Sequence, residues 1–152
     1  MNKLSKYLKY LFIKQKRCII WSAVGTRYFA TTTATKLKLN TTGRYGTGIS
    51  INNDAFVIND PDIKCVKASF DIGGQSQSTS TIPYIIIDIQ KNGENIVSGF
   101  PIYSRGGAHE RISETLLISV AQGDTITATV KASANNAIYV TYNSTVCIDA
   151  IY

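Results

Sequence analysis

Histidine, tryptophan and methionine occur once each in this 152-residue chain, and proline and cysteine only three times each. One histidine leaves little from which to build a zinc centre. Three cysteines are too few for a disulfide scaffold. No run of 18 apolar residues occurs, so no segment is long and apolar enough to cross a membrane as a helix. Charged residues make up 17%, below the usual quarter. Hydrophobic residues reach 44%, enough at this length for one globular domain.

Acid is missing from the whole first third. Ten of the sixteen basic residues lie in residues 1–44 (Lys3, Lys6, Lys9, Lys14, Lys16, Arg17, Arg27, Lys36, Lys38, Arg44), and the first carboxylate is Asp54. Residues 45–152 hold six bases against ten acids, a net charge of −4. The distribution reads as a mildly acidic body, residues 45–152, behind a basic N-terminal arm, residues 1–44.

The arm is not expected to be an export signal: its longest apolar cluster near the start, Leu11-Phe12-Ile13, is broken by Lys14, Lys16 and Arg17, short of the roughly 7–15 residues required. Residues 3–17 have helical periodicity. Leu4, Leu8, Leu11 and Phe12 share one face and Lys6, Lys9, Lys16 and Arg17 the opposite one, with Ile13 spoiling the polar side. Such a helix can lie on a membrane, but Trp21 and the Thr-rich tract 31–35 that follow suit an extended chain reaching a protein partner. Lys14, Lys16 and Arg17 with Tyr7, Tyr10 and Trp21 offer phosphate contact and base stacking, although the acidic body opposes a duplex lying across it. The reading adopted is docking on protein through Leu4, Leu8, Leu11, Phe12, Lys14, Lys16, Arg17 and Trp21, not on lipid or nucleic acid.

The body reads as strands. Val66, Ala68, Phe70 and Ile72 alternate with Lys67, Ser69 and Asp71, the period of a half-buried strand. Residues 73–81 are loop by composition. Tyr84 to Gln90 is a central strand, Lys91-Asn92-Gly93-Glu94 a tight turn, and Ile96 to Tyr103 a strand weakened by Gly99 and Pro101. After a polar loop, 104–110, strands are expected at 114–120, 125–132, 138–142 and 145–152. Seven to nine short strands with no helix between them predict an antiparallel sandwich or jelly roll.

Chemistry-bearing candidates are few. His109-Glu110 stands in the loop with Arg105 and Arg111, but no second histidine or recognised nucleophile accompanies it; no catalytic site is read. Asp54, Asp60 and Asp62 are oxygen donors suited to Ca²⁺, yet Asn59-Asp60-Pro61-Asp62 is first a turn, so no metal is assigned. Gly106-Gly107 lacks the strand–helix context of a phosphate loop. No cofactor is expected.

Four features in order resemble the C1q/TNF-like trimeric jelly roll: the alternating strand Val66 to Ile72 with its polar loop; Ile87-Asp88-Ile89-Gln90-Lys91-Asn92-Gly93; Leu116 to Ile126 around Gly123-Asp124; and the final strand Ser144 to Tyr152. The aromatic positions that mark animal members are only partly filled. The resemblance covers about residues 50–152 and implies an all-β jelly-roll sandwich that forms a homotrimer. It also implies that Cys65 and Cys147 lie on adjacent strands, where they are expected to be reduced. Tyr84, Tyr139, Tyr142 and Tyr152 are the candidates for one face lining the threefold axis. With the arm, the combination looks like a structural virion protein, a capsid-attached head fibre or decoration protein of a bacteriophage. The alternative is a receptor- or glycan-binding adhesin at a fibre tip, acting through loops 73–82 and 104–111 on a host-surface glycan.

Overall fold

The computed structural model describes residues 17–152. Its strands, numbered along the chain, form two antiparallel sheets packed face to face, with no helix among the described residues. The seven-stranded sheet contains β1 (Ile19–Ala23), β2 (Tyr28–Phe29), β4 (Thr41–Tyr45), β7 (Cys65–Ser76), β10 (His109–Ser119), β12 (Ile138–Val140) and β13 (Thr145–Ile151). The six-stranded sheet contains β3 (Thr35–Lys36), β5 (Ile49–Asn52), β6 (Ala55–Ile58), β8 (Tyr84–Lys91), β9 (Glu94–Tyr103) and β11 (Thr125–Ala132).

The long strand β7 organises the first sheet. One flank pairs with β10 along residues 65–75. The other is shared by β13, over 65–71, and β12, over 74–76. Beyond β13 come β1 and then β4. The second sheet runs β5, β6, β11, β8, β9. Period-two alternation sends Val66, Ala68, Phe70 and Ile72 inward from β7, to meet Ile85, Ile87 and Ile89 of β8 and Ile126 and Val130 of β11 in one core. The turn between β8 and β9 places Asn92 and Gly93 at φ 54° and 84°, the left-handed pair that a two-residue hairpin requires.

Two expectations need correction. The first is the boundary at residue 44. Residues 19–45 are not an arm: β1 lies between β13 and β4, and Cys18, Ile20, Val24, Ala30 and Leu37 are buried in the common core. Positive charge misled, because Arg27, Lys36, Lys38 and Arg44 are solvent-facing residues of sandwich strands or their connections. The helical expectation for residues 3–17 lies, but for Arg17, outside the described residues, as do Leu4, Leu8, Leu11, Phe12, Lys14 and Lys16. The second concerns Gly73-Gly74-Gln75-Ser76, which extend β7 instead of looping. A Cβ at Gly74 would stand 3.1 Å from both Ile102 and Ile138, and one at Gly73 would collide with the Thr141 hydroxyl. The glycines therefore admit close packing inside a strand. His109 and Glu110 likewise begin β10, opposite Gln75 and Gly74.

Candidate functional site

Paired residues on neighbouring strands project to the same side, so the register maps the outer face of the seven-stranded sheet. One row reads Tyr45, Ile19, Asp149, Lys67, Leu117 across β4, β1, β13, β7 and β10. The next reads Gly43, Trp21, Cys147, Ser69, Thr115. At the lower end Ile151 stands opposite Cys65. Trp21, Tyr45, Leu117 and Ile151 are 47%, 64%, 71% and 44% exposed, so large apolar side chains recur across this face among the polar Lys67, Ser69, Thr115 and Asp149.

Trp21 has a built seat. Any Cβ at Gly43 would collide with the indole ring, so the glycine lets the ring lie flat across the neighbouring strand. Beside it Cys147 is half-buried; burial, then the Asp149 carboxylate, push its thiol pKa up, which keeps it a weak nucleophile. Cys18, Cys65 and Cys147 are all free thiols, and the last two lie on adjacent strands as the resemblance implied.

Along one flank of the sandwich the edges of β9 and β10 leave a groove of about 280 Å³, lined by Lys91, Ile96, Val97, Leu116, Leu117, Ile118 and Ser119. Leu117 therefore belongs both to the face and to this edge. Charge nearby is neutralised within the chain. Arg111 on β10 pairs with Asp71 on β7 at 2.8 Å and also donates to the Asn143 carbonyl at 3.1 Å. Its hydrogen bond to Asp71 holds that carboxyl below the usual range, helped by Ser113 at 2.9 Å.

The four tyrosines singled out for a threefold axis do not share a face. Tyr139 lies on β12 in the seven-stranded sheet, its ring stacked on Phe29 at 3.9 Å with the Arg27 guanidinium 4.9 Å from its centre. Tyr142, 61% exposed, follows β12 in the connection to β13. Tyr152 follows β13, its hydroxyl close to Gly48. Tyr84 lies on β8, in the other sheet. Trp21 belongs to β1, not to a separate arm, while Arg17 is exposed just before it. The residues passed over were Tyr45, Leu117, Ile151 and Gly43. The adjacent pair Leu116-Leu117 carried a signal, since an alternating strand must turn one of two neighbours outward.

The remaining candidates resolve into structure. The Asp54 carboxylate accepts the Leu39 N–H at 2.9 Å, and that of Asp60 accepts the Asp62 N–H at 2.9 Å. Among the described residues no group of three or more His, Cys, Asp or Glu is placed to hold a metal ion. His109 and Glu110 are exposed residues at the start of an edge strand. Gly106 and Gly107, at φ 63° and 82°, shape the connection between β9 and β10.

A family model described as "Reversibly glycosylated polypeptide" matches residues 5–152. The chain belongs to that family. Its fold, compared with solved structures, is that of tumour-necrosis-factor-like jelly rolls. Murine APRIL structures at pH 5.0 and pH 8.5 superpose with TM-scores of 0.62 and 0.61, each at 12% identity over 90% of this chain and 100% of that one. The Eiger TNF of S. frugiperda superposes with a TM-score of 0.54, at 6% identity over 89% of this chain and 92% of that one. No curated protein sequence matches. At such identities the likeness concerns the architecture, and the C1q/TNF-like all-β expectation is met.

Proposed function

We propose that this chain is a structural virion protein: a homotrimeric jelly-roll knob of a bacteriophage head fibre or decoration protein, attached to the capsid by the residues preceding β1. One observation carries the trimer: the outer face of the seven-stranded sheet exposes Trp21, Tyr45, Leu117 and Ile151, with the apolar β9–β10 edge at its flank. An edge of one copy laid on the face of the next, closed by a threefold rotation, covers both surfaces in every copy. Attachment draws on sequence and position. Residues 1–17 hold six basic residues and no acid, and the carbonyl of Arg17, the first described residue, lies beside Gly46 between β4 and β5.

The role is non-enzymatic in this reading. The family description speaks of a polypeptide that carries sugar, and we take it as support for sugar contact by this chain, not for sugar transfer. A second reading, a glycan-binding adhesin, is favoured by a tyrosine-flanked groove on the opposite sheet.

Light scattering on residues 17–152 tests the trimer: a mass of three chains supports it and a monomer overturns it. Mass spectrometry of gradient-purified particles tests attachment. Full-length chain should co-purify with the particles and a chain lacking residues 1–16 should not; absence of the full-length chain from particles overturns the virion reading.

A further inference from the structure

On the outer side of the six-stranded sheet Tyr84 of β8 stands opposite Tyr103 of β9, with ring centres 5.3 Å apart and planes tilted by 50°. Tyr103 is 56% exposed. Beside the pair is a groove of about 380 Å³ lined by Thr32, Tyr84, Ile86, Lys131, Ala132 and Ser133, within the size range of small-molecule sites.

Its polar groups are half committed, in complementary senses. The Thr32 hydroxyl donates to the Asn135 side chain at 3.2 Å, so its lone pairs stay available to accept. The Ser133 hydroxyl accepts the Tyr84 N–H at 3.1 Å, so its proton stays available to donate. One free acceptor and one free donor, on the connection before β3 and on the bend after β11, suit the adjacent hydroxyls of a pyranose, each of which both gives and takes a hydrogen bond. The Tyr84 ring lines the groove and offers flat apolar surface for the ring C–H groups of the same sugar, and the exposed Tyr103 ring, outside the lining on β9, extends that surface. Among the described residues Lys131 is the one charged residue lining the groove, exposed and with three donors.

We propose that this groove binds an acidic saccharide, a uronic-acid-containing glycan whose sugar ring packs on Tyr84 and Tyr103 and whose carboxylate pairs with Lys131. The inference rests on the adhesin reading, and it moves the contact from loops 73–82 and 104–111 to a sheet face. In a trimer closed through the other sheet this groove points away from the axis, so each knob presents three copies.

The test uses the full chain and two probes, trigalacturonic acid and the neutral maltotriose, followed by calorimetry and by saturation-transfer NMR. Trigalacturonic acid should bind more tightly than maltotriose, with transfer from the tyrosine rings. Tyr103→Ala should weaken it about tenfold, and Lys131→Gln should weaken it about threefold and erase the acidic preference. Both positions are at the surface, and light scattering should show the trimer unchanged. Binding that survives both substitutions overturns the groove while leaving the adhesin reading standing. Binding that prefers the neutral sugar overturns the acidic assignment. No binding to either probe, together with no signal on an array of neutral and acidic glycans, overturns the site and the adhesin reading alike.

Discussion

The two outer faces of this sandwich share one backbone architecture and differ in what they show to the surroundings. The seven-stranded sheet turns Trp21, Tyr45, Leu117 and Ile151 outward, and the Asp71 charge is matched by Arg111 within the chain. The six-stranded sheet turns out Lys131, Asp88 and the Tyr84–Tyr103 pair, while Thr127 and Thr129 of β11 are buried. The inward positions of both are the usual isoleucines and valines. Core residues thus specify a sandwich, and the alternate positions, free of that duty, give its two outer faces different chemistry.

The largest expected effect strips one sheet. A chain beginning at residue 45 lacks β1, β2 and nearly all of β4 from the seven-stranded sheet, and with β1 the buried Ile20 and the partner of β13. It should be unfolded by circular dichroism, whereas a chain beginning at residue 17 should fold; a folded 45–152 fragment would break the claim that β1 is integral. Next, Trp21→Asp combined with Leu117→Asp places charge on the face proposed to close the trimer. The mass by light scattering should fall from three chains to one, while Tyr103→Ala on the opposite face should leave it at three. A smaller effect belongs to Gly43→Val, which removes the seat of Trp21. It should cost about 1–3 kcal/mol in denaturant melts, and unchanged stability and assembly together would show the indole seat to be incidental.

The smallest effect is electrostatic. Arg111 lowers the pKa of Asp71, so this group favours folding above the carboxylate value of the unfolded chain and stops doing so as pH falls through the lowered folded value. Both side chains are substantially exposed, at 31% and 44%, and solvent screening limits the pair to under about 1 kcal/mol. Arg111→Ala should therefore lower stability at neutral pH by no more than that amount, leave it unchanged below the folded Asp71 value, and so flatten the acid limb of stability against pH.

The strands from β7 to β13 were legible because they carry local alternation or, in β8, a short apolar run, and the hairpin at Asn92-Gly93 its own turn chemistry. β1 was not, because five residues reading Ile-Ile-Trp-Ser-Ala acquire meaning only from β13, and charge counting assigned them to an arm. The four tyrosines were grouped on one face for a similar reason. Tyrosine content suggested candidates, but only the register says that Tyr84 and Tyr139 lie on different sheets. Gly73 and Gly74 look like loop in composition, and only the crowding of Ile102, Ile138 and Thr141 around them shows why a strand needs them.

The pairing of Ile19 with Asp149 also sets a timetable. During synthesis the β1 segment leaves the ribosome early and must wait for β13, which is made after every strand that it touches. Until then β1 and β7 each have one flank without its partner, and long-range pairing of this kind folds slowly. The growing polypeptide thus spends most of its synthesis with an unfilled slot in its principal sheet, a state in which a neighbouring nascent chain could lend the missing strand.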